Sequence, residues 1–493
     1  MNQPSVPAYR RIFRKAGLGT DIGLTVVLQA LGALLAYGIN IVISRALGES
    51  GWDDYALCMH TYIVIGTAVM DFGIIAVVMP RLAAARGAFA PAFKAAFQLR
   101  LITYFLGLAA ALGMALLFGD RELLLPILIG FGGGIVSAKF TGIRQVPELM
   151  WRLRGRTWII STIALFDGLL LLGSILFLSA NEILTINTAM MALVLANIPG
   201  FLLVGLPILR SYRKSGYEGK ALPFRYYKGV VWGALPIAVM SLSSQLFARI
   251  EPLVINATIG REFVGEYVAG ILPLSGTIFF AVTIGVGMLP LISQIHRRAR
   301  NDVDAGWVVS VGSRALGGVA LLISAGCFLF AEEILWLFNE EYMKYGYILR
   351  IYSITNGLEY LVVFFDQTLL AVDSRKEVMT GTLLSLILAL GFQLAAVPLW
   401  GIHGILVAKI AAIAIKISYQ LFVLGKDIRL GALRGFLRIG LGVVALVLIL
   451  MLTQWLPVIP RALVTFVALG GVLFAGKIVD LKELGRLRRL QLT

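Results

Sequence analysis

The chain has 493 residues, 59% of them hydrophobic and 14% charged, with a mean hydropathy of +0.88 and a formal net charge of +16. A water-soluble domain of this length needs polar faces that such a composition does not supply, which excludes a soluble enzyme or binding module. Cys58 and Cys327, the only cysteines, both sit in apolar stretches and exclude a disulfide framework or a cysteine-based metal site.

About fourteen apolar runs of roughly 18–25 residues follow one another, each long enough to cross a bilayer as a helix. The first is Thr20–Ser44 and the last Arg461–Ile478. Thr20–Ser44 is too long for a signal-peptide core and lacks a small-residue cleavage pattern, so it is expected to be retained. The expected fold is all-α and polytopic.

Basic residues concentrate in alternate connectors, which hold 33 of the 43 Lys and Arg. That set opens with Arg10, Arg11, Arg14 and Lys15, includes Arg100, Lys139 and Arg144, and closes with Arg486, Arg488 and Arg489. The intervening connectors are acidic, with Glu49, Asp53, Asp54, Asp120, Glu122, Glu332, Glu333, Glu340 and Glu341. By the positive-inside rule the basic set is cytoplasmic. Both termini then lie inside, which requires an even number of spans. The surplus charge is a topology signal and not a nucleic-acid footprint.

The longest cytoplasmic connector, Arg210 to Lys228, carries Ser215, Gly216, Gly219 and Pro223 and reads as a linker between two halves. An internal repeat supports it. ISRALGESGWDDYA from Ile43 parallels INATIGREFVGEYV from Ile255, matching Gly48 to Gly260 and Tyr55 to Tyr267. VVMPRL around Pro80 echoes GMLPLI around Pro290. Such repeats mark transporters built from two similar bundles. The expected domains are a six-helix bundle over 1–215, a second over 216–426, and two added helices with an amphipathic tail over 427–493. With six spans each, the halves share orientation and relate by a pseudo-twofold axis along the membrane normal. Tyr9–Lys15 and Lys477–Leu492 are amphipathic and read as anchors on the cytoplasmic lipid surface.

Ionisable groups inside spans are expensive and mark function or pairing. They are Asp71 in span two, Asp167 in span five, Arg249 and Glu251 in span seven, and Arg314 in span nine. Span ten adds Glu359 and Asp366, and span twelve Lys409 and Lys416. Each of these last two pairs is seven residues apart, on one helical face and at similar depth. Two readings stay open: internal salt bridges between spans ten and twelve, or cavity cations and a coupling-ion carboxylate.

Arg249 is the first candidate for an anionic headgroup, because a guanidinium keeps its charge at depth. Arg314 is expected to snorkel toward the cytoplasm, with a cavity role as the alternative. Arg45, at the outer end of span one, snorkels or locks the loop by default and is also a candidate cavity cation. Asp71, Asp167 and Glu251 are candidates for ion coupling or pairing. No metal-ligand set, catalytic constellation or cofactor motif is visible. Pro126, Pro199, Pro236, Pro273, Pro290 and the run Gly130, Gly132, Gly133 and Gly134 interrupt spans and supply bends.

The passage ISRALGESGWDDYALCMHTYIVIGTAVMDFGIIAVVMPRLA, Ile43 to Ala83, resembles the first two spans of the polysaccharide-transporter branch of the MOP flippase superfamily, the Wzx-like proteins. The shared features are Arg45, Leu47, Gly48, Gly51, Tyr55, Asp71, Phe72 and Gly73. WGIHGILVAK, Trp400 to Lys409, resembles that family's Gly-x-x-Gly start of span twelve. Family members often carry an Asp where ARIEPLVINATIG offers Arg249 and Glu251. The resemblance implies no enzyme activity, but movement of undecaprenyl-pyrophosphate-linked oligosaccharide to the outer leaflet of a bacterial cytoplasmic membrane by alternating access.

No G-x-x-x-x-G-K-[ST] loop occurs, so an ion gradient or the membrane potential would drive transport, without a nucleotide. Expected partners are the lipid-linked oligosaccharide, membrane lipid, and a polysaccharide polymerase with chain-length proteins of O-antigen or exopolysaccharide synthesis. The alternatives are a cation-coupled drug antiporter of the MATE type and a peptidoglycan-precursor flippase.

Overall fold

A computed structural model describes residues 18–78, 89–153, 156–214, 222–298, 305–480, 482, 483 and 485. Among them every regular element is helical and no strand occurs. Hydrocarbon leaves this as one of two solutions, because a helix satisfies its own backbone hydrogen bonds where no water can. The N-terminal amphipathic stretch, Pro80, residues 215–221 of the Arg210–Lys228 linker and the last residues of the tail lie outside the described residues.

The chain divides into two compact units, residues 1–265 and 266–493. In the first, α1 (Leu18–Leu57) folds back at Gly48, whose φ of 69° suits glycine alone. The His60–Asn40 hydrogen bond, 3.3 Å, joins the two legs. The second leg passes through a wide turn at Cys58–Tyr62 into α2 (Ile63–Asp71). Next come α3 (Phe89–Leu117) and α4 (Leu124–Phe131), then a single turn at Gly133–Val136 and an irregular stretch. The remainder is α5 (Gln145–Leu153), α6 (Thr157–Ala180), α7 (Ile186–Lys214), α8 (Phe224–Arg249) and α9 (Glu251–Thr258).

The second unit begins within α10 (Val264–Ser275) and continues with α11 (Ile278–Arg298), α12 (Ala305–Leu329) and α13 (Gly346–Ala371). Then α14 (Arg375–Val423) folds back at Gly401, φ 54°, before α15 (Lys426–Leu452) and α16 (Val458–Ala475). Eleven helices are long and apolar enough to cross a membrane. Two of them, bent at Gly48 and Gly401, supply two crossings each, and the broken segment from α4 to α5 supplies one more. The described residues thus offer fourteen segments of crossing length, as the sequence leads one to expect.

Span seven packs with the first unit, and its outer turn shows why. Trp52 donates its indole N–H to the Gly265 carbonyl at 2.9 Å, and the Gly265 N–H donates to Asp53 at 2.8 Å. Arg261 ion-pairs with Asp54, Glu122 and, at 3.5 Å, Asp120. At the other end Ile74, Val78, Ala92, Ala96, Leu99, Val146, Leu149 and Val230 form an apolar core. The repeat is visible in geometry. Gly48 and Gly260 both have positive φ, and Tyr55 and Tyr267 after them are both buried.

Candidate functional site

Asp71 ends α2, and Phe72 and Gly73 after it both take left-handed backbone, φ 41° and 63°, which breaks span two. The break frees carbonyls that need donors. Arg100, eleven residues into α3, supplies them. It donates to the Met70 carbonyl at 2.6 Å, the Asp71 carbonyl at 2.5 Å and the Asp71 carboxylate at 2.7 Å. Ser241 of α8 donates to the other carboxylate oxygen at 3.1 Å. Asp71 is thus held by a fully buried arginine and belongs to a structural clamp.

Asp167 has the same fate. It lies ten residues into α6, about 15 Å from the start of that helix. Arg144 meets it at 2.5 Å while also binding Glu148 at 3.0 Å and donating to the Val136 carbonyl at 3.0 Å. Arg144, read from sequence as part of a cytoplasmic connector, therefore lies level with the middle of α6. The reason is that span four does not end at Val136. It breaks over 137–144 and resumes as α5 for nine residues. Arg100 likewise belongs to a span and not a connector.

Lys139, in this break, lines a cavity of about 360 Å³ within the first unit. Arg249, the last residue of α8, is half-buried, and Lys139 is exposed toward the cavity. Neither Lys139 nor Arg249 has a salt-bridge partner among the described residues.

The other candidate cations are engaged. Lys416 sits 3.0 Å from Asp366 and 3.1 Å from Thr382, with Gln420 donating to Asp366 at 2.7 Å. Lys409 pairs with Glu359 at 3.4 Å and lies over the Tyr352 ring. These are the two rungs that the sevenfold spacing implied. Arg314 does not snorkel, being only 2% exposed. It donates to the Ser310 and Lys477 carbonyls at 3.1 and 2.6 Å and pairs with Glu483 at 2.5 Å. The start of the C-terminal tail is therefore docked on α12, with Ile478 buried, and does not lie free on a lipid surface. Arg45 is exposed near the Gly48 bend, and Glu251 is fully buried at the start of α9. Among the described residues no cluster of His, Cys, Asp or Glu could hold a metal ion.

No protein-family model matches the sequence, and no curated protein matches it either. Solved structures do. An inward-facing multidrug resistance MATE family transporter of the MOP superfamily is similar over 85% of this chain and 98% of its own, at 14% identity and a TM-score of 0.63. The lipid II flippase MurJ, in an inward closed conformation, is similar over 91% of this chain and 97% of its own, at 12% identity and a TM-score of 0.64. A MOP superfamily transporter from Pyrococcus furiosus, described as having a binding pocket of reversed polarity, covers 89% of this chain and 99% of its own, at 14% identity and a TM-score of 0.60. The chain has the fold of MOP superfamily transporters.

Sequence reasoning named Arg249 as a candidate and placed Lys139 in a connector. The signal was present in the glycine run Gly130, Gly132, Gly133 and Gly134, which loosens span four just before the lysine. Hydropathy alone ended the span at the first basic residue, because a broken helix and a helix end look the same in a sliding window.

Proposed function

We propose that the protein is a flippase that carries polyprenyl-pyrophosphate-linked oligosaccharide from the cytoplasmic to the outer leaflet of a bacterial cytoplasmic membrane, by exposing one cationic site alternately to the two sides. The observation that carries this reading is a cavity of the first unit lined by Lys139, which, like Arg249 at the end of α8, has no salt-bridge partner among the described residues. A diphosphate offers two adjacent anionic centres to these cations, and the guanidinium adds bidentate hydrogen bonding. The polyprenyl chain stays in lipid.

The drug-antiporter alternative is disfavoured by the same residues. A carrier of organic cations needs an available carboxylate, whereas Asp71, Asp167 and Glu148 are each held by an arginine. A peptidoglycan-precursor flippase would use the same diphosphate chemistry. The Arg45-to-Gly48 and Asp71-to-Gly73 motifs favour the polysaccharide branch.

The test is translocation in proteoliposomes of a labelled polyprenyl-pyrophosphate saccharide, read by its accessibility to an impermeant glycan reagent. The wild-type protein should expose the lipid. K139A/R249A should not, at equal reconstitution, and R249K should retain part of the rate. Wild-type vesicles that leave the label protected, or a double variant as active as wild type, would refute the reading.

A further inference from the structure

A second recess of the first unit, about 560 Å³, lies between the start of α3, the end of α7 and the segment around Ile143 and Pro147. Its walls are Phe97, Leu101, Leu202, Leu206 and Leu209, each 40–45% exposed, so the recess opens sideways to the surrounding lipid. Gly205 makes it deep: a Cβ there would meet nothing within 4 Å. From Phe93 to Leu101 α3 rises about 12 Å, and from Phe201 to Tyr212 α7 rises about 16 Å. The hydrocarbon of one leaflet is about 15 Å thick. The recess therefore has the length of a single lipid tail.

One end of it is polar and basic. Lys94 lines that end beside Phe93 and Tyr212, whose rings meet at 5.6 Å. Arg213, exposed and four residues after Leu209, continues the α7 stripe beyond it. Gln98 lies one helical turn deeper than Lys94, and its amide oxygen accepts from the Tyr227 hydroxyl at 2.5 Å. Its amide N–H groups are thus the part left to donate. Cations at the mouth, a donor about 5 Å below and an apolar trough beyond reproduce the order of a glycerophospholipid: phosphate, ester carbonyl, acyl chain. By the positive-inside rule this end faces the cytoplasm.

We propose that the recess binds one anionic phospholipid of the cytoplasmic leaflet, its phosphate at Lys94 and Arg213 and one acyl chain along Gly205. A helix from a second copy, about 10 Å across, would need roughly 900 Å³ over the same length and does not fit. Ile143 and Pro147, which line the recess, flank Arg144 and belong to the segment that presents Lys139. A chain lodged there braces that segment from the lipid side.

The experiment mixes the detergent-purified full chain with phosphatidylglycerol or with phosphatidylcholine of the same acyl chains. Bound lipid is counted by native mass spectrometry, and the melting temperature is read in parallel. Wild type should retain phosphatidylglycerol in preference and melt higher with it. Gly205→Phe fills the trough at a position where Phe is a better helix former than Gly, so it should melt normally in lipid-free detergent. It should retain neither lipid and gain no stability from either. Lys94→Gln with Arg213→Gln should keep acyl binding but lose the preference by up to about twenty-five-fold, each basic residue near a headgroup being worth about fivefold. Gly205→Phe that binds and responds like wild type, or wild type without a preference for phosphatidylglycerol, would overturn the site. So would a dimer abolished by Gly205→Phe, which assigns the recess to a second copy, or displacement of the phospholipid by polyprenyl diphosphate, which assigns it to the cargo chain. None of these readouts requires transport, so they stand or fall apart from the flippase reading.

Discussion

Arg144 meets Asp167 at 2.5 Å with both side chains shut off from solvent. The pair ties the break in span four to the middle of span five, and so fixes the segment that presents Lys139.

Removing one member leaves a buried charge without its counter-ion, a loss of about 3–5 kcal/mol. Asp167→Asn and Arg144→Met should each lower the melting temperature in detergent sharply. Asp167→Leu with Arg144→Met should recover part of that loss, because the apolar pair carries no charge of its own while Glu148 keeps only its 3.4 Å contact with Arg152. The double variant is nevertheless expected to translocate poorly, since the break over 137–144 then lacks the donor that binds the Val136 carbonyl. A double variant as unstable as the worse single variant would show that the pair is not acting as a unit.

The two lysine rungs of the second unit differ in strength. Lys416 has a carboxylate and a hydroxyl within hydrogen-bond reach, and Asp366 is also bound by Gln420, whereas the Lys409–Glu359 contact is 3.4 Å. Exchanging Glu359 and Lys409 should preserve folding and most transport, while exchanging Asp366 and Lys416 should destabilise the unit, because Thr382 and Gln420 remain arranged for the original polarity. Protein yield and melting temperature measure the first effect, and vesicle translocation the second. Lost transport with normal stability in the Glu359–Lys409 exchange would instead assign that pair to cargo or a coupling ion.

Gly73 is fixed twice over. Its φ of 63° disfavours any side chain, and an added Cβ would lie 2.8 Å from Ile237 of α8. Gly73→Ala should cost roughly 1–3 kcal/mol in backbone strain, with the clash adding to it. Ile237→Ala removes the Cγ2 contact but leaves its own Cβ at 2.8 Å and the backbone strain untouched, so the double variant should recover only a small part of the lost melting temperature. Full recovery would mean that the backbone at this break relaxes freely.

Much of the fold was legible because each crossing is a long apolar run, and because the bends at Gly48 and Gly401 follow Gly-containing motifs that stand out in the sequence. The rungs of spans ten and twelve were legible for the same reason: a spacing of seven survives in any straight helix. Arg100, Arg144 and Lys139 were not legible. A basic residue shortly after an apolar run reads as a connector, and only the three-dimensional break places it within a span. Arg314 was misread for the opposite reason. Its partner, Glu483, lies 169 residues away in a tail that composition alone assigns to the lipid surface.

The outer turn of the first unit should titrate. Arg261 faces Asp54, Asp120 and Glu122, and Asp120 also receives hydrogen bonds from Tyr62 and, at 3.0 Å, from Asn256. The Glu122 carboxyl is held below its ordinary range, first by a backbone N–H and then by the Arg261 guanidinium. A depressed carboxyl contributes stability that is fully present above its unfolded value and disappears as the pH falls through the folded one. Wild type and Glu122→Gln should therefore differ in melting temperature at neutral pH and converge below about pH 4. Because Glu122 is more than half exposed, the difference should be small and should shrink further in high salt. Arg261→Ala should follow the same pH dependence with a larger amplitude. It leaves three carboxylates crowded without a cation, so its penalty should be greatest at neutral pH and least in acid, where protonation removes the repulsion. A penalty for Arg261→Ala that stays constant from pH 7 to pH 4 would show that its stacking and packing, and not its charge, hold the turn together.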